Sequence, residues 1–357
     1  MTLPYATHAS EGFNARLQAG LDAVGQDVAR VLGANLVALV LGGGYGRGEG
    51  GVVVRDGVEH PYNDLDLTLV VQHRGQVAQG TLRRLAVRHG EQLGLEVDFS
   101  RPLTPRAVRH WPPWLMWHDL LHGHVVLHGP RGILPALAPA VVGEPLPAIE
   151  ATRLLVNRGA GLLWALRVTA GVEPPPDPDF VRRNYYKCAL ALGDALLIAH
   201  GCYATPCRGR GRRLRRLEGA EETVAALGLR ALYDEALRFK FRPDLLPAGE
   251  GSAVRLRQLA ERWGAVFLHV ERVRTGARWR TLEEYAGWEG AREPEQNRPA
   301  MWPRNALQNR RLGGWSLRYP REALYRQLPG LLGLTRSQDA TWVAGGQRFL
   351  RRWKRCS

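Results

Sequence analysis

Apolar residues recur at three- and four-residue steps in several stretches of the chain, the spacing of one face of a helix. The first such stretch follows Ser10 and stops at Gly33, which predicts a helix capped by Ser10. The same spacing predicts long helices over about 149–169 and 179–200. Further helices are predicted at about 76–93, 221–240, 252–274 and 347–355.

Other apolar stretches have the length and spacing of strands. Residues 35–41 form an unbroken apolar run that predicts a buried strand. Residues 64–71 alternate polar and apolar side chains at period two, which predicts a strand with one polar face. Residues 95–99 and 125–127 predict two shorter strands. The order helix, strand, turn, strand, helix, strand indicates an α/β domain.

The length of 357 residues indicates two domains, with room for an appendage. The character changes from mixed to helical at the proline-rich stretch 145–147, which we interpret as a linker. We therefore predict an α/β domain over 1–143, a helical domain over 147–284, and a basic C-terminal extension rich in Trp and Arg over 285–357.

The net charge of +15 is confined to the second part of the chain. Residues 1–143 hold twelve arginines and twelve acids, so the charge is carried by 144–357. Such a surface favours phosphate or nucleic acid as a partner. Only three of the 49 basic residues are lysine, so a general arginine bias explains the charge equally well. The stretch 204–217, which we expect to be a basic loop leading into a helix, contains an arginine run over 208–216. This run suits binding of RNA, a nucleotide or a membrane surface, but a solvated basic helix face is the more common explanation.

Neither a membrane span nor a secretory leader is expected from the sequence. The chain has no uninterrupted apolar stretch of the ~20 residues that a spanning helix needs. The first residues lack the basic head and apolar run of a signal peptide. Four cysteines without CxxC spacing are typical of reduced thiols. We therefore expect a cytoplasmic protein; the oligomeric state stays open.

Three acids on predicted strands and one glycine-rich turn suggest a site for phosphate chemistry. Asp64 and Asp66 are two residues apart on one strand and so share a face, while Asp98 lies on the next predicted strand. Carboxylate oxygens on rigid strands are the ligands that Mg²⁺ prefers. The glycine-rich turn 42–51 just before them offers backbone N–H groups to phosphate oxygens.

The string from Gly43 to Glu49, followed by Asp64-Leu-Asp66 and then by Asp98, resembles the DNA-polymerase-β-type nucleotidyltransferase superfamily. The resemblance covers about residues 35–130. Within this superfamily, the chain is similar to small bacterial members with a helical second domain. It implies an α/β (α+β) nucleotidyltransferase palm with a mixed sheet, plus a mainly α-helical second domain that closes the cleft.

The resemblance also implies roles for individual residues. Asp64 and Asp66 would be ligands of two Mg²⁺ ions, with Mn²⁺ as a substitute, and Asp98 would bind the catalytic ion and help to take the acceptor's proton. Gly43 and Gly44 would contact the triphosphate of an NTP. Two further nucleotide contacts are candidates: Arg47, which equally suits an ion pair with Glu49, and Lys187, for which a solvent-exposed, solubilising role is favoured.

Two departures from the family pattern affect these expectations. Gly44 stands where many members have Ser, so a phosphate contact there must come from the backbone. The gap between Gly44 and Asp64 is longer than usual, so 51–60 must form an inserted hairpin. The glycines at 46, 48 and 51 also match the GxGxxG pattern of dinucleotide sites, but a strand-like segment follows where such a site needs a helix.

These features together predict transfer of a nucleoside monophosphate, with ATP as the expected donor, to an unidentified acceptor. A small-molecule acceptor is favoured. The alternatives are an RNA-, tRNA- or protein-modifying nucleotidyltransferase, which the basic half would suit, and a non-catalytic nucleotide- or RNA-binding partner.

Overall fold

The computed structural model describes residues 4–62, 64–246, 252–335 and 342–356. The chain forms two compact units that are not continuous in sequence. The first unit combines residues 1–147 with two later segments, 204–210 and 237–246, and the second holds the rest of the chain, including 285–357. The domains expected from the sequence are continuous ranges, so both segments fall within the expected helical domain over 147–284. The structure instead places them in the first unit.

The first unit is built on a four-stranded mixed sheet with the order β5-β4-β1-β6. β1 pairs antiparallel with β4 and β6, and β4 pairs parallel with β5. The predicted α/β class with a mixed sheet is confirmed. The strands of the unit are β1 (Leu36–Leu41), β2 (Val52–Arg55), β3 (Val58–Pro61), β4 (Leu65–Val71), β5 (Val97–Phe99) and β6 (Val125–His128).

Helices cover both faces of this sheet because its central strands are apolar on both sides. One face packs on α1 and α3, and the other packs on the short helices that follow β5. Ser10 caps α1 as predicted, since its hydroxyl accepts the N–H of Phe13. The helices of this unit are α1 (Glu11–Leu32), α2 (Gly43–Gly46), α3 (Gln79–Leu93), α4 (Pro105–Arg109), α5 (Leu115–His122), α6 (Ile133–Leu137) and α7 (Pro139–Val142).

The predicted inserted hairpin is confirmed. β2 and β3 form a separate two-stranded antiparallel sheet with Val54 opposite Glu59. The turn between them, Asp56-Gly57, has positive φ at both residues. Such a turn matches the right-handed twist of a hairpin, and Gly reaches it without steric cost. The segment after Gly51 is thus a strand, which agrees with our exclusion of a dinucleotide site.

The described elements of the second unit are helical, and its core is formed mainly by α8, α9 and α13. Helices α10 and α12 each begin or end in the first unit. The basic run 208–216 lies within α10 and is not a loop before it. The remaining helices are α8 (Ile149–Thr169), α9 (Phe180–Ala199), α10 (Cys207–Ala220), α11 (Glu222–Ala225), α12 (Arg230–Phe241), α13 (Ala253–Thr275), α14 (Leu282–Gly287), α15 (Trp302–Arg311), α16 (Glu322–Leu331) and α17 (Trp342–Cys356).

Within the described residues, no helix is both long enough and apolar enough to cross a membrane.

A histidine pair in the second unit makes its stability depend on pH. The Nε2 atoms of His200 and His269 are 3.0 Å apart, so one ring donates and the other accepts. Burial lowers the pKa of both rings, and the charge of His200 lowers that of His269 further. A lowered folded-state pKa means that the unfolded chain binds more protons, so stability is lost as pH falls below the ordinary histidine value.

We therefore expect the second unit to lose stability between pH 7 and pH 5. Hydrogen exchange of α9 and α13 peptides measures this local unfolding. His269→Gln should weaken the pH dependence because it removes one of the two titrating rings. An equally steep pH dependence in His269→Gln would contradict this assignment.

Candidate functional site

The register of the parallel pair β4 and β5 places two of the predicted acids side by side. Asp66 lies opposite Asp98, flanked by the pairs Leu65–Val97 and Leu67–Phe99. Neighbouring strands are about 4.8 Å apart, and side chains in register point to the same face. Asp66 and Asp98 are both exposed, whereas Leu65, Leu67 and Val97 are buried on the other face.

Asp64 belongs to the same polar face. It immediately precedes β4, it is exposed, and the residue between it and Asp66 is fully buried. Within the part of the chain that the structure describes, however, no three His, Cys, Asp or Glu side chains are grouped closely enough to hold one metal ion. The structure thus brings Asp66 and Asp98 together and places Asp64 beside them without closing a three-carboxylate cluster.

The glycine-rich turn lies directly against Asp66. β1 ends at Leu41, which pairs with Leu67, so the turn that follows meets the start of β4. The N–H of Gly42 donates to the carbonyl oxygen of Asp66 at 2.8 Å. Gly43 has φ of +60°, and a Cβ added to it would lie 2.1 Å from Oδ2 of Asp66. The absence of a side chain at position 43 is what allows the carboxylate and the turn to approach this closely.

Gly43→Ala should therefore disturb the site. The methyl group would displace the Asp66 carboxylate, and a misplacement of about 1 Å at a reacting centre costs about 100-fold in rate. We also expect a loss of about 1–2 kcal/mol in stability from the left-handed backbone. Thermal unfolding tests the effect on stability, and an assay of the function that this site supports tests the effect on rate.

Gly57→Ala is a matched control for this substitution. Gly57 also has positive φ, but a Cβ there would have open space around it. The control should lose comparable stability and keep its activity. Equal loss of activity in both variants would show that backbone strain, and not the contact with Asp66, explains the effect of Gly43→Ala.

The turn itself is a single helical turn, α2, whose first N–H groups have no partner within a helix. These groups belong to Gly43, Gly44 and Tyr45, on the chain segment that approaches Asp66. A Cβ on Gly44 would lie 3.2 Å from the carbonyl oxygen of Glu49, a tight contact. Glycine at position 44 thus leaves room for the chain where it returns at Glu49. This accounts for glycine at a position where many members of the superfamily that the turn resembles have serine.

Arg47 forms part of a buried ion network. Its Nε lies 3.5 Å from Oε2 of Glu49 and its Nη1 lies 3.8 Å from Oδ2 of Asp119. Burial lowers the pKa of Arg47, but the charge of Asp119 and further neighbours outweighs it, so the pKa is raised overall. Pairing with Glu49, one of the two roles left open for Arg47, is present in the structure. A phosphate contact by Arg47 stays a prediction.

Glu49 is the centre of this network. Its side chain is 0% exposed, and Oε1 accepts the backbone N–H of Arg208 at 3.2 Å. The guanidinium of Arg208 is 3.8 Å from the same oxygen. Arg210 is buried and donates to the carbonyl oxygens of Ala204 and Thr205. The segment 204–210 is thereby fixed on the end of the glycine-rich turn, and part of the basic run serves a structural role.

Tyr45 links the turn to the inserted hairpin. Its ring is buried, its hydroxyl donates to the carbonyl oxygen of Gly51 at 2.7 Å, and it accepts the N–H of Tyr62 at 3.1 Å. The hydroxyl of Tyr45 therefore holds together the two ends of the hairpin, Gly51 and Tyr62. Tyr45 was not among the site residues expected from sequence; a single aromatic residue in a run of glycines was the available signal.

The second return of the chain, 237–246, packs against the hairpin. The ring of Phe239 meets the edge of Tyr62, with centroids 5.8 Å apart. Oδ2 of Asp244 accepts the N–H of Val54 at 3.3 Å. These contacts join residues about 180 positions apart in sequence, so no local pattern indicates them.

Lys187 lies on α9 in the second unit, and its side chain is exposed. This agrees with its position off the apolar stripe of the predicted helix. Its proposed contact with a triphosphate stays a prediction.

The polar face fits a magnesium ion in its donor chemistry. Asp66 and Asp98 supply carboxylate oxygens from two adjacent strands, and hard oxygen ligands of this kind are what Mg²⁺ binds. Asp64, which is exposed and immediately precedes β4, is the third carboxylate of this face. The turn at Gly43 and Gly44 lies against the carboxylate of Asp66, and its backbone N–H groups are donors of the kind that phosphate oxygens accept.

No family model matches the chain, and comparison with curated proteins likewise gives no match.

Proposed function

We propose that the chain is a nucleotidyltransferase that moves a nucleoside monophosphate from an NTP, with ATP as the first candidate, to a small-molecule acceptor. The observation that carries the proposal is the position of Asp66, in register with Asp98 and in contact with Gly43. Adjacent carboxylates beside a glycine turn combine metal ligands with phosphate donors in one place. The sequence resemblance to the DNA-polymerase-β-type superfamily rests on the same residues.

In the proposed reaction an acceptor oxygen attacks the α-phosphorus of the NTP. The new bond joins that oxygen to phosphorus, the bond to the β-phosphate breaks, and pyrophosphate leaves. Two bound Mg²⁺ ions, or Mn²⁺ in their place, would activate the attacking oxygen and offset charge on the leaving group. Asp64 and Asp66 would hold both ions, and Asp98 the ion at the acceptor.

The chain's own groups orient the reactants. The N–H groups of Gly43 and Gly44 donate to oxygens of the triphosphate and hold it in line. The carboxylate of Asp98 accepts the proton of the acceptor. Arg47 and Lys187 are proposed as further contacts to phosphate; for Arg47 this would come in addition to its pairing with Glu49.

The test is incubation of the protein with an NTP and a cell extract. ATP labelled at the α-phosphate should pass its label to an acceptor with release of one pyrophosphate, and a chelator should stop the reaction. ATP labelled at the γ-phosphate should transfer no more label than it does in extract without the protein. Absence of label transfer and of pyrophosphate with all four NTPs would favour a non-catalytic binding protein.

The same labelled material identifies the class of acceptor. Label that survives both ribonuclease and protease and stays in the small-molecule fraction supports the proposed acceptor. Label removed by ribonuclease would instead assign an RNA acceptor, and label removed by protease a protein acceptor.

A further inference from the structure

The second unit contains a large cavity lined by arginines, which we call the arginine basin. Its volume is about 1450 Å³, and it lies between α16 and α17 and the elements around them. Six arginines line it, and none of the described residues in its wall is Asp or Glu. The six are Arg257, Arg326, Arg348, Arg351, Arg352 and Arg355.

Four of these arginines form a row along one helix. On α17, positions 348, 351, 352 and 355 follow the three- and four-residue spacing of a single face. The opposite face of α17 is buried through Phe349 and Leu350. The row spans about 10 Å at a rise of 1.5 Å per residue. The helix is therefore fixed by its apolar face while its arginines face the basin.

Within the described residues, no acidic side chain forms an ion pair with the arginines of the basin. Arg326, Arg352 and Arg355 donate to uncharged oxygens, two backbone carbonyls and the amide of Asn309. Arg257, Arg348 and Arg351 are exposed, and the described residues provide no hydrogen-bond or ion-pair partner for them. Like charges gathered in one concave site repel one another unless an anion joins them.

The lining of the basin also includes apolar side chains, among them Leu166, Leu312 and Trp342. The indole N–H of Trp342 donates to the carbonyl oxygen of Leu331 at 2.8 Å, which holds the ring in place. A ligand that suits this site combines several negative charges with flat or apolar groups. Phosphates and bases of a nucleic acid strand have that arrangement.

The size of the basin further limits the class of ligand that fits it. Its volume exceeds the about 300–1000 Å³ of ordinary small-molecule pockets, and six guanidinium groups exceed what one triphosphate needs. A duplex keeps its bases paired and stacked on one another, so it does not present them to the apolar residues of the basin, whereas a single strand does. We propose that the arginine basin binds single-stranded nucleic acid through its phosphates, independently of any transfer reaction in the first unit.

The test is binding of a fluorescently labelled twelve-nucleotide single-stranded RNA to the full chain, measured by anisotropy over a range of salt. Counterion release at ~0.1 M salt makes each phosphate contact worth about fivefold for single strands. The variant R257Q/R348Q/R351Q should therefore bind about 100-fold more weakly and show a salt slope smaller by about 2. A duplex of the same sequence should bind more weakly, and ATP should not displace the strand.

A matched control removes the same charge elsewhere in the second unit. Arg212, Arg216 and Arg278 are exposed and lie outside the basin, and two of them belong to the basic run on α10. R212Q/R216Q/R278Q should retain nearly wild-type affinity. Equal losses in both variants, unchanged binding in the basin variant, or displacement by ATP would overturn the proposal.

Photo-crosslinking of the RNA to the wild-type protein gives a second measurement that needs no variant. Crosslinked peptides should come from α16 and α17. Crosslinks confined to α10 would contradict the assignment even if both variants misfolded.

Discussion

Replacing Asp66 with Asn is expected to lower the rate of the proposed nucleotidyl transfer by about 1000-fold while the first unit stays folded. The side chain is exposed, so its replacement by an amide of the same shape costs little packing. The rate depends on it because Asp66 is the acid that touches the glycine turn and lies beside Asp98. A single preorganised electrostatic contact supplies about 4 kcal/mol of transition-state stabilisation, which corresponds to this factor.

The measurement is pyrophosphate release per enzyme, with thermal unfolding recorded on the same sample. Glu91→Gln is the matched control, since Glu91 is an exposed acid on α3 away from the polar face. The control should keep wild-type activity. Unchanged turnover in Asp66→Asn would remove Asp66 from the mechanism, and equal loss in the control would point to a general charge effect.

Replacing Glu49 with Ala is expected to cost about 3 kcal/mol of stability in the first unit. The substitution removes the carboxylate that lies 3.5 Å from Arg47, which keeps Asp119 at 3.8 Å, and it removes the acceptor of the Arg208 N–H. Breaking a buried ion pair by removing one partner has a cost of that order, because the remaining charge stays out of water. We also expect the segment 204–210 to detach from the glycine-rich turn.

Hydrogen exchange followed by mass spectrometry tests this result, since it reports on the first unit separately. Peptides covering 36–71 and 204–210 should exchange faster in Glu49→Ala than in wild type. Glu91→Ala removes an exposed acid and should change exchange by little. Wild-type protection of both peptides in Glu49→Ala would show that the network does not fix this segment.

The local elements of the fold follow closely from patterns in the sequence. The Ser10 cap and the 3.6-residue spacing place α1 to within a residue of its observed ends, and α8 begins and ends where its pattern predicts. The period-two alternation of β4 correctly separates Leu65 and Leu67 from the two acids on its other face. Such features depend on neighbours within one or two turns, which a sequence displays directly.

Long-range features could not be predicted in the same way. The returns of 204–210 and 237–246 to the first unit depend on contacts such as Arg208 with Glu49, which no periodicity indicates. The arginine run was expected to begin in a loop, but the helix starts at Cys207. The same composition suits both structures, and tertiary contacts of Arg208 and Arg210 select one. The register of β4 with β5, which puts Asp66 beside Asp98, is likewise visible only in three dimensions.

A crystal structure with Mn²⁺ and a non-hydrolysable ATP analogue tests most directly whether the polar face and the glycine turn form one site. The anomalous signal of manganese should lie within coordination distance of Asp64, Asp66 and Asp98, with the triphosphate on the N–H groups of Gly43 and Gly44. Manganese and triphosphate bound elsewhere on the chain, with Asp66 and Asp98 contacting neither, would contradict the proposed reaction.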